Sequence, residues 1–126
     1  FDTSPGLQYS SINAIVTADL VVVATTFDRS DVDGTRRMLR ELYDLFEKKT
    51  GLVLNKVLDS PSKSSKEEMQ SKVKAIYQVP LLGLLPCFCE ILRAEGNLIF
   101  VQDKPDHPFT KIVDEIAKKI ETNEVN

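Results

Sequence analysis

The chain has 126 residues, 42% hydrophobic and 28% charged, with a net charge of −3 at pH 7. That is apolar material for a single core, and the acidic balance argues against broad, sequence-independent nucleic-acid binding, which needs a basic face. No apolar run approaches a bilayer span, no charged-then-apolar leader opens the sequence, and the only two cysteines, Cys87 and Cys89, sit too close for an ordinary structural disulfide, so a cytoplasmic setting is expected.

Phe1 followed by Asp2-Thr3-Ser4-Pro5-Gly6 reads as the end of a buried strand running into a phosphate-facing turn. A carboxylate at a strand tip can hold magnesium through water, and a glycine lets bare backbone approach a terminal phosphate. Leu7 to Thr17 carries Ile12, Ile15 and Val16 at helical spacing. Leu20-Val21-Val22-Val23-Ala24 is a continuous apolar run that predicts a central parallel strand covered on both faces.

Ser30-Asp31-Val32-Asp33 offers a helix cap, Met38, Leu39, Leu42, Leu45 and Phe46 follow as an inward stripe, and Gly51 suits the helix's C-terminal stop. Leu52 to Lys56 is a second strand with polar Asn55 and Lys56 at its tip. Asp59 to Lys66 reads as a solvated loop, and Ser65 with Glu68 forms a capping box for a helix that buries Met69, Val73, Ile76 and Tyr77. Leu81 to Leu85 is the third strand, broken by Pro86, which cannot donate to a ladder. Ile91 to Ala94 predicts a brief helix ended by Gly96, and Leu98 to Val101 a short extended or connecting piece. A closing helix runs from Pro108 to Glu121, with Ile112, Val113, Ile116, Ala117 and Ile120 on one side.

The alternation of strand and helix predicts an α/β fold, a mostly parallel sheet flanked by helices, with residues 1–126 as a single unit. In such folds ligands bind outside the carboxyl ends of the strands, where Asp2, Asn55 and the turn at Pro86 fall. The phosphate-loop pattern G-x-x-x-x-G-K-[ST] does not occur in these residues.

Taken in order, D-T-S-P-G, S-I-N-A-I, A-D-L-V-V-V-A-T-T with a following D-x-x-G, L-V-L-N-K and L-L-G-L-L-P resemble the MinD/ParA group of deviant-Walker P-loop ATPases, and among them MinD-like ATPases of archaeal type. The resemblance covers nearly the whole chain. It implies the C-terminal half of such an ATPase domain, of the SIMIBI type of P-loop NTPase and without the Walker A loop. It further implies an ATP-hydrolysing switch using ATP/ADP and Mg2+, working as a homodimer with a protein partner that the motifs do not identify. By position, Asp2 matches the switch II aspartate that holds magnesium through water, and Gly6 the glycine that senses the γ-phosphate. Asn55 matches the asparagine that reads the adenine edge, and Pro86, Cys87 and Phe88 the loop against the base. Members usually place an acidic residue after that proline; Cys87-Phe88-Cys89-Glu90 departs from the pattern.

Each motif has a plainer reading. Asp2 to Gly6 can simply turn the chain, and Asn55 can cap its own strand end. Cys87 and Cys89 could share a zinc or nickel ion in a symmetric dimer, making a nucleotide-independent metal-carrier or interaction module the alternative function, or they could be buried thiols beside Phe88. Arg36, Arg37 and Arg40 read as a solvated helix face rather than a DNA-binding one. The tail from Lys118 to Asn126 lacks the bulky aromatic face of a membrane anchor and should pack on the domain. His107 reads as loop chemistry, without a nucleophile placed beside it.

Overall fold

Three strands, β1 (Val21–Thr25), β2 (Thr50–Val57) and β3 (Leu81–Pro86), lie parallel in the order β1-β2-β3 in the computed structural model, which describes residues 1–58, 63–97 and 99–122. Helices α1 (Tyr9–Thr17), α2 (Arg29–Leu45), α3 (Lys63–Tyr77), α4 (Cys89–Arg93), α5 (Phe100–Asp103) and α6 (Pro108–Glu121) connect and flank them. The expected α/β class, a parallel sheet between helices, is the observed one.

Period-two side-chain alternation splits the core into two layers. Val23, Leu52 and Leu54 face Leu39 of α2 and Val73 and Tyr77 of α3, while Val53 and Leu82 meet Ile116 of α6 on the opposite side. Leu52 and Leu54 are wholly buried, each contributing about 1.5–3 kcal/mol of transfer free energy. The apolar side of α6 therefore packs on the domain, with Ile112 and Ile120 beside Ile116.

Several expectations are corrected. In the three-stranded sheet of the described residues β2 is central and β1 lies at an edge. Val23 and Thr25 are buried, but Ala24 is exposed and Val22 is 41% exposed, because α6 covers Val53 and Leu82 and does not reach the Val22 face. Gly51 does not end a helix. α2 stops at Leu45, where Phe46 turns extended and donates its N–H to the Leu42 carbonyl at 2.8 Å, and Gly51 lies in β2, where a Cβ would stand 2.6 Å from Leu82 Cδ1. The start of α2 is organised ahead of Ser30: Thr26 Oγ1 accepts from the Asp28 N–H at 3.1 Å and donates to the Asp31 carboxylate. α3 begins at Lys63, inside the expected loop, so Ser65 lies within the helix rather than capping it. Phe100–Asp103 is a helical turn, not an extended piece; Leu98 and 59–62 lie outside the described residues, as does the tail from residue 123 onward.

Candidate functional site

The opening segment, Phe1 to Gly6, is not itself in a strand. Among the described residues no strand precedes β1, and Phe1 is 96% exposed. What holds the segment is Ser11 of α1, whose hydroxyl donates to the Ser4 carbonyl at 3.2 Å. Between this segment and β1 opens a cavity of about 740 Å³, lined by Phe1 to Gly6, by Val21 to Thr26 and by Asn55 and Lys56. Asp2 is exposed within that cavity, and Gly6 adopts φ +87°, a left-handed conformation that glycine takes without strain.

Asn55 reaches the cavity through a register irregularity. Leu54 pairs with Leu84 but Val57 with Pro86, so β2 spends one residue more than β3 over this interval, and Lys56 takes φ +54°. Such a bulge re-aims a side chain out of the pleat. The Asn55 Oδ1 accepts from the Lys56 N–H at 2.8 Å, the bond of the plainer capping reading. A carbonyl oxygen retains a second lone pair and the amide both N–H donors, so the group keeps the chemistry to read a base edge. The lining of one cavity thus includes three of the expected residues: Asp2, Gly6 and Asn55. Asp2, Thr3 and Ser4 all line the cavity, and a carboxylate with two hydroxyls is a hard-oxygen set that suits a hydrated Mg2+ completed by phosphate oxygens.

Pro86, Cys87 and Phe88 do not line that cavity. They stand beyond it at the end of β3, where Cys87 N–H donates to the Val57 carbonyl at 2.8 Å. Both cysteines are exposed, against the buried-thiol reading, and Cys89 begins α4, so the two do not share an extended segment. Among the described residues no three His, Cys, Asp or Glu side chains gather as metal ligands. Arg36, Arg37 and Arg40 are exposed along α2, and no helix among the described residues is long and apolar enough to cross a membrane.

Two groupings escaped the sequence. At the carboxyl end of β1, Thr25 Oγ1 and Thr35 Oγ1 share a hydrogen bond of 2.8 Å beside Tyr77, whose hydroxyl is buried without a well-formed hydrogen bond among the described residues. Burial pushes the Tyr77 phenol up, opposed by Thr25. Second, His107 caps α6, its Nδ1 accepting from the Phe109 N–H at 3.1 Å, while its ring meets those of Phe88 and Phe100 edge-on. The only local hint was Pro108, which marks the first helical position and so makes His107 the cap.

Neither a protein-family model nor a curated protein matches the sequence. Solved structures do. The chain is similar to a chain of the MinC:MinD cell division protein complex of Aquifex aeolicus, with a TM-score of 0.73 and 12% identity over 93% of this chain and 48% of that one. The MinD cell division protein of the same organism gives a TM-score of 0.72 and 12% identity over 91% and 49%. The fold is MinD-like. These 126 residues span about half the length of the MinD structures they match. At such low identity the likeness describes the backbone, and side-chain roles rest on the cavity.

Proposed function

We propose that these residues form the metal-side and base-side walls of the nucleotide pocket in a MinD/ParA-like ATP-driven switch. The observation that carries this reading is that Asp2, Gly6 and Asn55 all line one cavity, which runs along β1 from Val21 to Thr25 and reaches Asn55 and Lys56 of β2. Asp2 holds Mg2+ through water, Gly6 meets the γ-phosphate with bare backbone, and the Asn55 amide pairs with the adenine edge. Pro86 to Phe88 approach the base from the neighbouring strand end. The complete switch hydrolyses ATP to ADP as a homodimer whose assembly follows the nucleotide, and it acts through a protein partner. In this reading the further strands of a MinD-length fold pair at the free edge of β1 and fill the part of the cavity beside Val22 and Ala24, leaving the part lined by Asp2, Gly6 and Asn55 to the nucleotide.

Positioning and electrostatic stabilisation by a phosphate loop dominate phosphoryl transfer, and no such motif occurs in the 126 residues. On their own they therefore bind ATP weakly and hydrolyse it negligibly. Titration with fluorescently labelled ATP and magnesium tests both statements. Weak binding is expected, reduced by Asp2→Ala and by Asn55→Ala. Sub-micromolar affinity overturns the limit, and affinity indifferent to both substitutions overturns the site.

A further inference from the structure

His107 is tied to more of the molecule than a loop residue needs to be. Its Nδ1 accepts from the Phe109 N–H at 3.1 Å, so the ring proton sits on Nε2, which lies 3.0 Å from Glu90 Oε2. The ring is flanked by Phe88 and Phe100, each with its centroid 4.9 Å away and each close to perpendicular, at 73° and 89°. Perpendicular aromatic pairs at this spacing are the favoured geometry. Phe109 closes the group against Phe88 and Phe100 at 6.1 and 5.8 Å. One half-buried imidazole thus joins the start of α6 to the β3–α4 loop and to α5.

Capping α6 explains only Nδ1. Asparagine or serine would cap as well, and neither would reach Glu90 or fill the space between two phenyl rings. Of the remaining contacts, Phe100 ties the ring to α5, while Phe88 in the loop between β3 and α4 and Glu90 in the first turn of α4 bear on that loop. That loop has few anchors of its own: Cys87 N–H to the Val57 carbonyl at 2.8 Å and Ile91 N–H to the Phe88 carbonyl at 3.2 Å, with no side-chain cap on α4.

We propose that His107 is the positioning residue of the β3–α4 loop, holding Pro86 to Phe88 in one orientation through Glu90 and Phe88. For its ligand the inference rests on the nucleotide reading, in which that orientation presents the loop to the base. His107 does not touch the nucleotide.

The test is amide hydrogen exchange by NMR on the 126-residue chain, with thermal unfolding and labelled-ATP titration in parallel. His107→Asn keeps an acceptor for the Phe109 N–H and removes the contacts to Glu90, Phe88 and Phe100. It should leave the Lys111 amide and the melting temperature close to wild type, while protection at Cys87 and Ile91 falls roughly threefold to tenfold, the factor for losing one partly exposed hydrogen bond. Glu90→Ala, which leaves α6 untouched, should lose the same protection, and Glu90→Gln, which keeps an acceptor for Nε2–H, should restore it. Wild-type protection at Cys87 and Ile91 in both His107→Asn and Glu90→Ala overturns the proposal, since a capping role alone predicts that result. Lost protection with weakened ATP binding supports the proposal and the nucleotide reading together. Lost protection with unchanged ATP binding supports the positioning role and overturns the base-side assignment of the loop.

Discussion

The hydroxyl of Ser11 donates to the carbonyl of Ser4, and Ser11 is only 1% exposed whereas Ser4 stands in solvent. A buried donor in α1 therefore determines where an exposed loop lies, and that loop carries Asp2 and Gly6. Ser11→Ala removes the tie without adding bulk. The expected cost is about 1 kcal/mol of stability, the usual worth of one such bond. The more specific expectation is local: amides of the opening loop exchange faster while those of β2 keep their protection, because the loop adds nothing to the core. Thermal unfolding and hydrogen exchange measure the two effects. Equal loss of protection in the loop and β2 would instead give Ser11 a place in the global core.

Two glycines separate packing from backbone freedom. A Cβ on Gly83 would collide with Cγ1 and Cδ1 of Ile116, so Gly83→Ala pushes α6 off β3 at an expected cost of about 1–3 kcal/mol. Gly34, inside α2, has open space where a Cβ would go, and Gly34→Ala should stabilise by about 0.5–1 kcal/mol. Urea unfolding of the two variants should give opposite signs.

Much of the fold was legible because periodicity writes buried faces directly into sequence. Pro108 together with Ile112, Ile116 and Ile120 placed α6 within its observed bounds, and the three apolar runs placed the strands. What failed depended on neighbours. The valines of β1 look the same whether one or two strands flank them, so the run could not reveal an edge. Gly51 stood between a helical stripe and an apolar run and could serve either; the closeness of Leu82, some thirty residues on, decided for the strand. Asn55 was found as a strand-tip polar group, but its approach to the cavity depends on a bulge, which is a property of β2 and β3 together. His107 was dismissed as loop chemistry because Phe88, Glu90 and Phe100, which give it a role, come from segments that only the topology assembles.

The two sheet edges predict how the chain associates. On the β3 side, Lys119 donates to the Leu82 carbonyl at 2.8 Å and Pro86 ends the strand without a donor, both known deterrents to edge pairing. β1 has no such guard among the described residues, and Val22 lies beside its open edge. The 126-residue chain should therefore self-associate through β1, and Val22→Lys should suppress this by placing a charge against the opposing strand. Light scattering over a dilution series checks it. A clean monomer for the unsubstituted chain, or association unchanged in Val22→Lys, would remove β1 from the account.

Tyr77 offers a test in which the size of the effect changes with pH. Its ring packs with Val23, Leu54 and Val73, and its hydroxyl, in a residue only 4% exposed, makes no hydrogen bond of good geometry among the described residues although it faces Thr25, whose own hydroxyl pairs with Thr35. Tyr77→Phe keeps the ring and deletes an unpaired polar group, so at neutral pH it should be neutral or stabilising by up to about 1 kcal/mol. Burial raises the phenol above its ordinary value, which favours the neutral form in the folded state. In the unfolded chain the phenol ionises near pH 10, while the folded chain still holds its proton. The unfolded state then binds fewer protons, and stability falls as pH rises from that point toward the higher folded value. Phenylalanine has no such loss. The advantage of Tyr77→Phe should therefore widen above about pH 10 and be constant below it, as measured by urea unfolding at both pH values. A loss of more than about 1 kcal/mol at neutral pH would show that the hydroxyl has a partner, with a bridging water at the end of β1 the natural one.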